Sequence, residues 1–399
     1  MNGAATCLDI SSFALTGTRW PWTVDRMANA APHTDVVVVG AGILGLAHAV
    51  EAVSRGLTVR VIDRDAYAVG ASIRNFGHIG LSAQTGMAFD VALAGRPRWL
   101  TLAAAAGFWA AETGSVVVAR AEDELSVLKE FAAARDGFAE VLDCAQLREH
   151  IPVHGEGVVG GAWLPQDVRV DPLAAVGAIA DWLSKQPGVE ISWGTSLLEV
   201  HSDGVLTSRG DIRATSVVVC VGHDVDQLFP TIAAHAGMRR CRLHMLEVDS
   251  PRGDTYTPAV LSGTSLLRYP AFSDCPSAEA VRARLQREQP ELLDSEINLM
   301  LTQRPDGSLI IGDSHEYHVT SPPFAEESLD NLLLGQLSAL LGVSALRVRR
   351  RWLGIYASGD HDFLIAAPHP SVRVVSVTTG IGMTTAMGLA PHVLDDLLP

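Results

Sequence analysis

The run "TDVVVVGAGILGLAHAVEAVSRGLTVRVIDRD", residues 34–65, constrains the fold of this chain more than any other segment. Its four consecutive valines predict a short buried strand over Asp35–Val39, because β-branched apolar runs of this length are typical of parallel sheets. The pattern then predicts a helix over Ile43–Arg55, ended by Gly56, and a second strand over Thr58–Ile62. Strand, helix and strand in this order indicate an α/β protein that begins with a βαβ unit.

The turn between the first strand and the helix has the spacing G-x-G-x-x-G. Gly40 permits the tight turn, Gly42 lets the backbone approach a pyrophosphate, and Gly45 lets the helix pack against the strand. Ile43 and Leu44 open the helix, whose free N–H groups favour phosphate oxygens. The spacing alone is also compatible with a plain tight turn, but within a βαβ unit it predicts a dinucleotide site.

The residues after the second strand favour FAD over a nicotinamide cofactor. Asp63 lies at the strand tip, where its carboxylate is placed to bind a ribose, and Arg64 follows it. The acidic tip disfavours the 2′-phosphate of NADP. An NAD dehydrogenase would continue to alternate strands and helices, whereas "YAVGASIRNFGHIGLSAQTG" is glycine-rich and aperiodic. At the far end of the chain, a strand over Val372–Val377 and a helix from about Thr384 predict a return to the same domain.

Charge and cysteine usage exclude several classes of function. A formal charge of −15 argues against nucleic acid or anionic lipid as the main partner, and no apolar run approaches the roughly 20 residues of a membrane span. The five cysteines are scattered without a C-x-x-C pair, so we expect neither a metal site nor disulfides, and reduced thiols indicate a cytoplasmic protein. Residues 1–33 do not have the pattern of a signal peptide and are expected to form a flexible extension.

Several further strings resemble the D-amino-acid oxidase and glycine oxidase superfamily of flavoproteins over Thr34–Leu398: "GASIRNFG", "VVCVG", "RWLGIYASGDHDFLI" and "TTGIGMTTAMG". Within that superfamily, three strings of this chain resemble a clade associated with aminophosphonate breakdown: "GASIRNFG", "RLHML" and "QRPDGSLIIGDSHEY". The resemblance implies a Rossmann-like FAD-binding domain of the glutathione-reductase type and an inserted α+β substrate domain on a mostly antiparallel sheet. We assign 34–95, 166–235 and 346–399 to the FAD-binding domain, and 96–165 and 236–345 to the substrate domain.

The resemblance also implies which residues contact FAD beyond the first turn. In such flavoproteins the segment after the acidic strand tip follows the pyrophosphate and the flavin, and the C-terminal helix is directed at the flavin ring. His78 and Ile79 are expected near the ring, although His78 is also compatible with a loop histidine bonded to a backbone carbonyl. No cysteine occurs in "RWLGIYASGDHDF", so FAD is expected to be bound non-covalently. The implied contacts are Gly70, Ala71, Ser72, Arg74, Asn75, Gly77, Gly222, Gly354, Gly380, Gly382, Met383 and Thr384.

The substrate end is less clearly specified by the resemblance. Amino-acid oxidases of the superfamily hold the substrate carboxylate with an arginine in a GxRP turn, where this chain has Tyr356. We expect Arg304, beside a predicted hairpin of Met300–Arg304 and Ser308–Gly312, to supply the cation, although arginines near turns are usually solvated. Further candidates for substrate binding are His244 and Met245, which are expected to start another strand facing the ring, and His315 and Tyr317, which are also compatible with a polar loop.

The resemblance implies flavin-dependent oxidation of a small anionic amine. Our first expectation is 2-aminoethylphosphonate or a hydroxylated or N-methylated relative, giving an aldehyde and ammonia or an amine, with dioxygen reduced to hydrogen peroxide. Glycine, sarcosine or a D-amino acid is the second expectation; a dehydrogenase with another electron acceptor and a non-enzymatic flavin-binding regulator rank lower. His78, Tyr356 and Arg304 are the candidates for contact with the reacting groups, and we expect no essential base. The oligomeric state stays open.

Overall fold

The computed structural model describes residues 33–398, so the predicted N-terminal extension lies outside the described residues except for His33. Strands and helices form an α/β fold, as the sequence predicts. The strands are β1 Thr34–Val39, β2 Val59–Ile62, β3 His78–Ile79, β4 Ala110–Ala111, β5 Ser115–Ala119, β6 Glu140–Leu142, β7 Gly160–Leu164, β8 Val168–Val170, β9 Val189–Ser192, β10 Leu197–His201, β11 Gly204–Thr207, β12 Gly210–Val219, β13 Arg239–Val248, β14 Ala259–Leu261, β15 Met300–Gln303, β16 Leu309–Gly312, β17 Glu316–His318, β18 Val348–His369 and β19 Val372–Thr379.

Helices cover the faces of the sheets and connect their strands. They are α1 Ile43–Ser54, α2 Gly86–Ala106, α3 Glu122–Ala134, α4 Cys144–His150, α5 Pro172–Ser184, α6 Val225–Leu228, α7 Pro230–His235, α8 Pro270–Ser273, α9 Ala278–Glu288, α10 Pro290–Asp294, α11 Glu327–Leu341 and α12 Gly382–Leu397. The predicted first helix is therefore present with its end one residue earlier than predicted, and the C-terminal helix begins two residues before the predicted start.

The nucleotide half of the molecule is built on a parallel sheet. β1 lies between β2 and β12, while β9 pairs with β2 and β19 pairs with β12, all in parallel. Four helices, α1, α2, α5 and α12, pack on one face around a buried apolar cluster. The valines of β1 are fully or almost fully buried, because each face of this strand is covered. This arrangement accounts for the continuous valine run in the sequence.

The substrate half is built on a mostly antiparallel sheet that is continuous with the first. Its strand order is β6-β7-β5-β14-β15-β16-β13-β18, and β18 also pairs with β19 of the nucleotide half. β18 is 22 residues long: Val348–Ser358 pairs with β13, and Ser358–His369 pairs with β19. A single strand thus joins the two halves, so the division at residue 346 assigns to one domain a strand that belongs to both.

The predicted division at residue 95 does not coincide with a break between secondary-structure elements. It falls inside α2, and this helix packs against α12 and α5 of the nucleotide half. Trp99 and Leu102, beyond the predicted boundary, are buried in the same apolar cluster as α12. The helix ends at Ala106 before Gly107, which has φ +74°, and this is where the chain enters the substrate half.

None of the helices within residues 33–398 is long and apolar enough to cross a membrane.

Candidate active site

A cavity of about 480 Å³ lies between the parallel sheet and the antiparallel sheet. Val39, Ile62 and Cys220, at or just beyond the carboxyl ends of β1, β2 and β12, form part of its wall. Ligands of open α/β sheets bind at this edge of the strands. At the other end, the wall is formed by residues of β13, β15, β18 and the segments beside them.

The glycine positions at the nucleotide end leave room for a ligand against the backbone. A Cβ atom added at Gly70 or Gly222 would have no atom within 4 Å, and one at Gly382 would meet only Val377 Cβ at 4.0 Å. At Gly42 it would meet only Ser72 Oγ, at 3.1 Å. Because all four glycines line the cavity, a side chain at any of them would occupy space that a dinucleotide backbone requires. The cavity therefore fits the predicted FAD.

Asp63 lies at the tip of β2 on the cavity wall, as predicted. Its Oδ2 accepts a hydrogen bond from the Ala41 N–H at 2.6 Å, and its Oδ1 accepts one from the Asp65 N–H at 2.9 Å. The carboxylate thus joins the glycine turn to the strand tip, and each oxygen retains a further lone pair for a ribose hydroxyl. Arg64 also lines the cavity and forms an ion pair with Asp224 at 2.7 Å.

The loop after β2 is held by its own side chains. Asn75 Nδ2 donates to the carbonyls of Ala71 and Ser72, and Asn75 Oδ1 accepts from the Gly77 N–H at 2.8 Å. Ser72 Oγ accepts from the Ile43 N–H at 2.9 Å, which ties the loop to the first turn of α1. The loop is consequently a fixed wall of the cavity, and its polar side chains maintain its shape.

All of the residues predicted to contact the cofactor line this cavity except Gly45 and Gly77. A Cβ at Gly45 would lie 1.9 Å from the Gly40 carbonyl oxygen, in agreement with its predicted packing role. Gly77 has φ +68°, and a Cβ there would lie 2.0 Å from the Val170 carbonyl oxygen. Gly77 is therefore required by the close approach to β8, and the prediction that it contacts the cofactor is corrected.

The turn before α12 brings the C-terminus to the same cavity. Gly380, Gly382, Met383 and Thr384 line it, and Gly380 has φ +80°. A Cβ at Gly380 would lie 3.0 Å from the Tyr356 ring, so the glycine lets this ring pack against the turn. The side chain of Trp99 fixes the helix start, because its Nε1 donates to the Met383 carbonyl at 2.9 Å.

An arginine that the sequence analysis did not select occupies the substrate end. Arg268 follows a short 3₁₀ helix, Gly263–Leu267, and lines the cavity. Its guanidinium donates to the Tyr356 hydroxyl at 3.1 Å and to the Thr379 carbonyl at 3.3 Å. Within residues 33–398 no carboxylate oxygen lies within 4.0 Å of it. Burial raises the pKa of the Tyr356 hydroxyl well above its usual value, although Arg268 opposes that shift, so the hydroxyl stays protonated.

One carboxyl group and one imidazole accompany Arg268 at the substrate end of the cavity. Asp313 and His315 both line the cavity and are 5% and 6% exposed. Burial raises the pKa of Asp313 to about 7, although Arg268 opposes that shift. Burial, with Arg268 as a second cause, lowers the pKa of His315 to about 3. The imidazole is therefore neutral, and because Nδ1 bonds to the Glu296 carbonyl at 2.9 Å, Nδ1 carries the proton.

His78 lines the cavity, but its Nε2 is engaged outside it. This nitrogen lies 2.7 Å from Ser115 Oγ and 3.1 Å from Asp167 Oδ2, and both partners are fully buried. His78 Nε2 therefore bonds to two side chains and not to a backbone carbonyl. These contacts position the ring, and the proximity of His78 to the flavin stays a prediction.

Arg304 does not reach the cavity. Its guanidinium lies 3.2 Å from Asp171, 3.7 Å from Glu247 and 3.7 Å from Asp306, beside a shallow surface groove. The β15–β16 hairpin is present as predicted, but it is the open end with Met300 and Asp313 that lines the cavity. The turn end, which carries Arg304, lies at the groove. The expectation that Arg304 binds substrate is therefore corrected.

His244 is also corrected, because strand alternation directs it away. Leu243 and Met245 of β13 line the cavity, while His244 Nδ1 lies 2.8 Å from Asp330 Oδ1 of α11 on the opposite face. Tyr317 lies beside Cys241 in an apolar cluster with Tyr356 and does not form part of the cavity wall. Of the predicted substrate residues, Met245, His315 and Tyr356 are brought together at the cavity.

The sequence carries signals for Arg268 and Asp313, the two cavity residues that were not predicted. Arg268 stands in "TSLLRYPAF", residues 264–272, where it is the lone charged residue of an otherwise largely apolar run. A single arginine in such surroundings indicates a charge with a specific partner. Asp313 follows the buried strand "LIIG" directly, at the end of the hairpin opposite to the turn.

Comparisons with known proteins agree with this geometry. A model of the family described as FAD dependent oxidoreductase matches residues 35–395. The bifunctional protein ThiO/ThiG of Synechocystis sp. is 30% identical over 212 residues, which are 49% of this chain and 31% of that protein. This chain spans less than half the length of the curated relatives that it matches.

Solved structures share the fold over nearly the whole chain. Glycine oxidase from Bacillus cereus has a TM-score of 0.73 at 17% identity, covering 91% of this chain and 94% of that one. L-α-glycerophosphate oxidase from Mycoplasma pneumoniae, with FAD bound, has a TM-score of 0.73 at 18% identity and covers 92% and 95%. Because the family match extends over nearly all of the described residues, the chain belongs to the family of FAD-dependent oxidoreductases, and FAD is its cofactor.

Proposed function

We propose that this protein oxidises a small anionic amine at the C–H bond next to the nitrogen. The observation that carries the proposal is Arg268, a guanidinium on the cavity wall without a carboxylate partner among residues 33–398. Its contacts with the Tyr356 hydroxyl and the Thr379 carbonyl are to uncharged groups, so no contact within the described residues neutralises its charge. A substrate anion would neutralise it with charge-assisted hydrogen bonds.

The chemistry divides between cofactor and protein. When bound, FAD accepts a hydride from the carbon next to an unprotonated amine. The protein fixes the anionic end of the substrate with Arg268 and the Tyr356 hydroxyl, while Met245 and Met300 supply apolar wall beside it. Orientation of the C–H bond is the main contribution that this chemistry requires of the side chains. The resulting imine is hydrolysed by water to a carbonyl compound and ammonia or an amine.

For the substrate we favour an aminophosphonate, namely 2-aminoethylphosphonate or a hydroxylated or N-methylated relative. A phosphonate has three oxygens in a tetrahedral arrangement and suits donors that come from several directions, here a guanidinium and a phenol from different segments. Glycine, sarcosine or a D-amino acid is the second candidate, because a guanidinium also binds a carboxylate and the fold is that of glycine oxidase from Bacillus cereus. We further propose dioxygen as the electron acceptor.

A panel of substrates tests the proposal. Anaerobic bleaching of the flavin absorbance would be followed with 2-aminoethylphosphonate, its hydroxylated and N-methylated relatives, glycine, sarcosine and D-alanine, and then repeated in air with peroxide detection. We expect an aminophosphonate to give the highest kcat/KM. A higher value for glycine or D-alanine would contradict the phosphonate, and bleaching by no amine would contradict amine oxidation. Bleaching without peroxide in air would indicate a dehydrogenase.

A further inference from the structure

The carboxylate of Asp313 lies at the same end of the cavity as Arg268; a side-chain hydrogen bond with Asn298 favours its charged form, but one of its oxygens lacks a partner among the described residues. The residue is 5% exposed and forms part of the cavity wall. Its Oδ1 is buried and has no hydrogen-bond partner among residues 33–398. It forms no ion pair with Arg268 within 4.0 Å, although the two charges are close enough for each to affect the other's pKa. The site thus presents one cation and one anion that do not neutralise each other by contact.

The backbone around Asp313 is fixed without help from its side chain. The Asp313 N–H donates to the Asn298 carbonyl at 2.9 Å, and the Asn298 N–H donates to the Asp313 carbonyl at 2.8 Å. Asn298 is itself buried, and its Oδ1 accepts from Ser265 Oγ at 2.7 Å. Since a buried carboxylate oxygen without a partner destabilises the fold, its retention is not explained by structure alone. A cationic group on a ligand would supply the missing donor.

We propose that Asp313 receives the ammonium group of the substrate, so that the site selects small zwitterions in which one molecule carries both an amine and an anion. The inference rests on the proposed function, because Arg268 must hold the anionic end. One proton of the bound ammonium passes to the Asp313 carboxylate before oxidation, since hydride transfer requires the unprotonated amine. His315 provides a second acceptor: its Nδ1 donates to the Glu296 carbonyl, and its Nε2 therefore keeps a free lone pair. The pairing excludes anions without an amine, which would leave Asp313 unsatisfied, and neutral amines, which would leave Arg268 unsatisfied.

The titratable groups around Asp313 come from several elements. Arg268 and Tyr269 follow the 3₁₀ helix, Cys241 comes from β13, Glu296 precedes β15, and His315 is two residues away. Burial raises the pKa values of Tyr269 and Cys241 to about 12, so both stay protonated at neutral pH. Arg268 is thus the cation that lowers the pKa of Asp313, and it favours the charged form of this carboxyl group.

Binding of matched inert ligands to the FAD-loaded protein tests the inference. In 2-amino-2-methylpropylphosphonate the carbon that bears nitrogen has no hydrogen, so the compound cannot be oxidised there. Its partner, 2,2-dimethylpropylphosphonate, replaces the ammonium with a methyl group of similar size. The carboxylate pair 2-aminoisobutyrate and 2,2-dimethylpropanoate covers the second substrate candidate. Dissociation constants would be measured by titration calorimetry and by perturbation of the flavin spectrum.

We expect the wild-type protein to bind the ammonium member of at least one pair about tenfold or more tightly than its partner. Asp313→Asn, which keeps the side-chain shape, should bind both members with affinities within about threefold of each other. Asp306→Asn, the same change on the exposed turn of the β15–β16 hairpin, should keep the preference. If Asp313→Asn fails to fold, the wild-type protein still tests the inference. Its preference for the ammonium ligand should decline as the pH falls below about 7, because Asp313 then becomes neutral.

The outcomes separate this inference from the proposed function. Equal binding of both members by the wild type, or a full preference retained by Asp313→Asn, would overturn the inference even if amines are oxidised. Selective ammonium binding that is lost in Asp313→Asn would support it even if no amine bleaches the flavin, a result that contradicts only the proposed function.

Discussion

The Arg268 guanidinium donates to the Tyr356 hydroxyl across 3.1 Å, and this contact relates two segments that are far apart in the sequence. The sequence resemblance implies that amino-acid oxidases have an arginine at the position of Tyr356. In this chain the positive charge reaches the cavity from the 3₁₀ helix at residues 263–267 instead. The tyrosine is therefore a neighbour of the cation, and under the proposed function a phenol and a guanidinium would share the substrate anion.

Arg268→Ala should reduce kcat/KM for the best amine by about 2–4 kcal/mol, which is roughly 30- to 1000-fold, mainly through weaker substrate binding. Arg304→Ala is the matched comparison, because that guanidinium pairs with Asp171 and Glu247 outside the cavity. Its removal should lower the melting temperature and leave kcat/KM within about threefold of the wild type. The reverse pattern in steady-state kinetics would assign the anion site to Arg304.

FAD should be released intact when the protein is precipitated with acid or heat. Cys220 is the cysteine on the cavity wall among residues 33–398, and burial raises the pKa of its thiol, which keeps it protonated and a poor nucleophile. No cysteine follows Gly354 on β18. The measurement is the flavin absorbance of the supernatant and of the pellet. Yellow colour that stays with the precipitated protein would show a covalent bond.

Asp63→Ala should weaken FAD binding by roughly 1.5–3 kcal/mol, which is about ten- to a hundredfold. Two effects contribute, because the carboxylate is placed to bind the ribose and also accepts hydrogen bonds from the Ala41 and Asp65 N–H groups. Asp63→Asn retains one acceptor oxygen and should lose less. Reconstitution of the apoprotein, followed by flavin fluorescence quenching, measures both affinities. Equal FAD affinity for wild type and Asp63→Ala would exclude the ribose role.

The nucleotide half could be predicted from sequence because its signals are local. The valine run, the glycine spacing and Asp63 all lie within one βαβ unit, and each side chain's position follows from a turn or a strand end. The C-terminal strand and helix carry the same kind of signal. Gly77 was misassigned because a glycine required by a close approach to β8 has the same appearance in sequence as one that faces a ligand.

The substrate end could not be predicted to the same extent, because its residues meet only in the tertiary structure. The sequence predicted the β15–β16 hairpin but did not indicate which end faces the cavity, so Arg304 was selected at the wrong end. For His244 and Met245 the strand was predicted, but its face could not be assigned without its neighbours. Arg268 directly follows a short 3₁₀ helix, a segment without periodicity, and only the fold brings it to Tyr356.

The pH dependence of kcat/KM should show an acid limb that belongs to Asp313. Burial raises the pKa of this carboxyl from its ordinary value to about 7, so the free enzyme carries the carboxylate above that pH and the neutral acid below it. If the carboxylate binds the substrate ammonium, kcat/KM should fall about tenfold per pH unit below about 7. His315, with a pKa of about 3, does not titrate in this range. Profiles measured over roughly pH 5.5–8.5 and corrected for ionisation of the substrate itself should show this limb in the wild type, while Asp313→Asn should have a lower plateau without it. An unchanged limb in Asp313→Asn would assign the titration to another group.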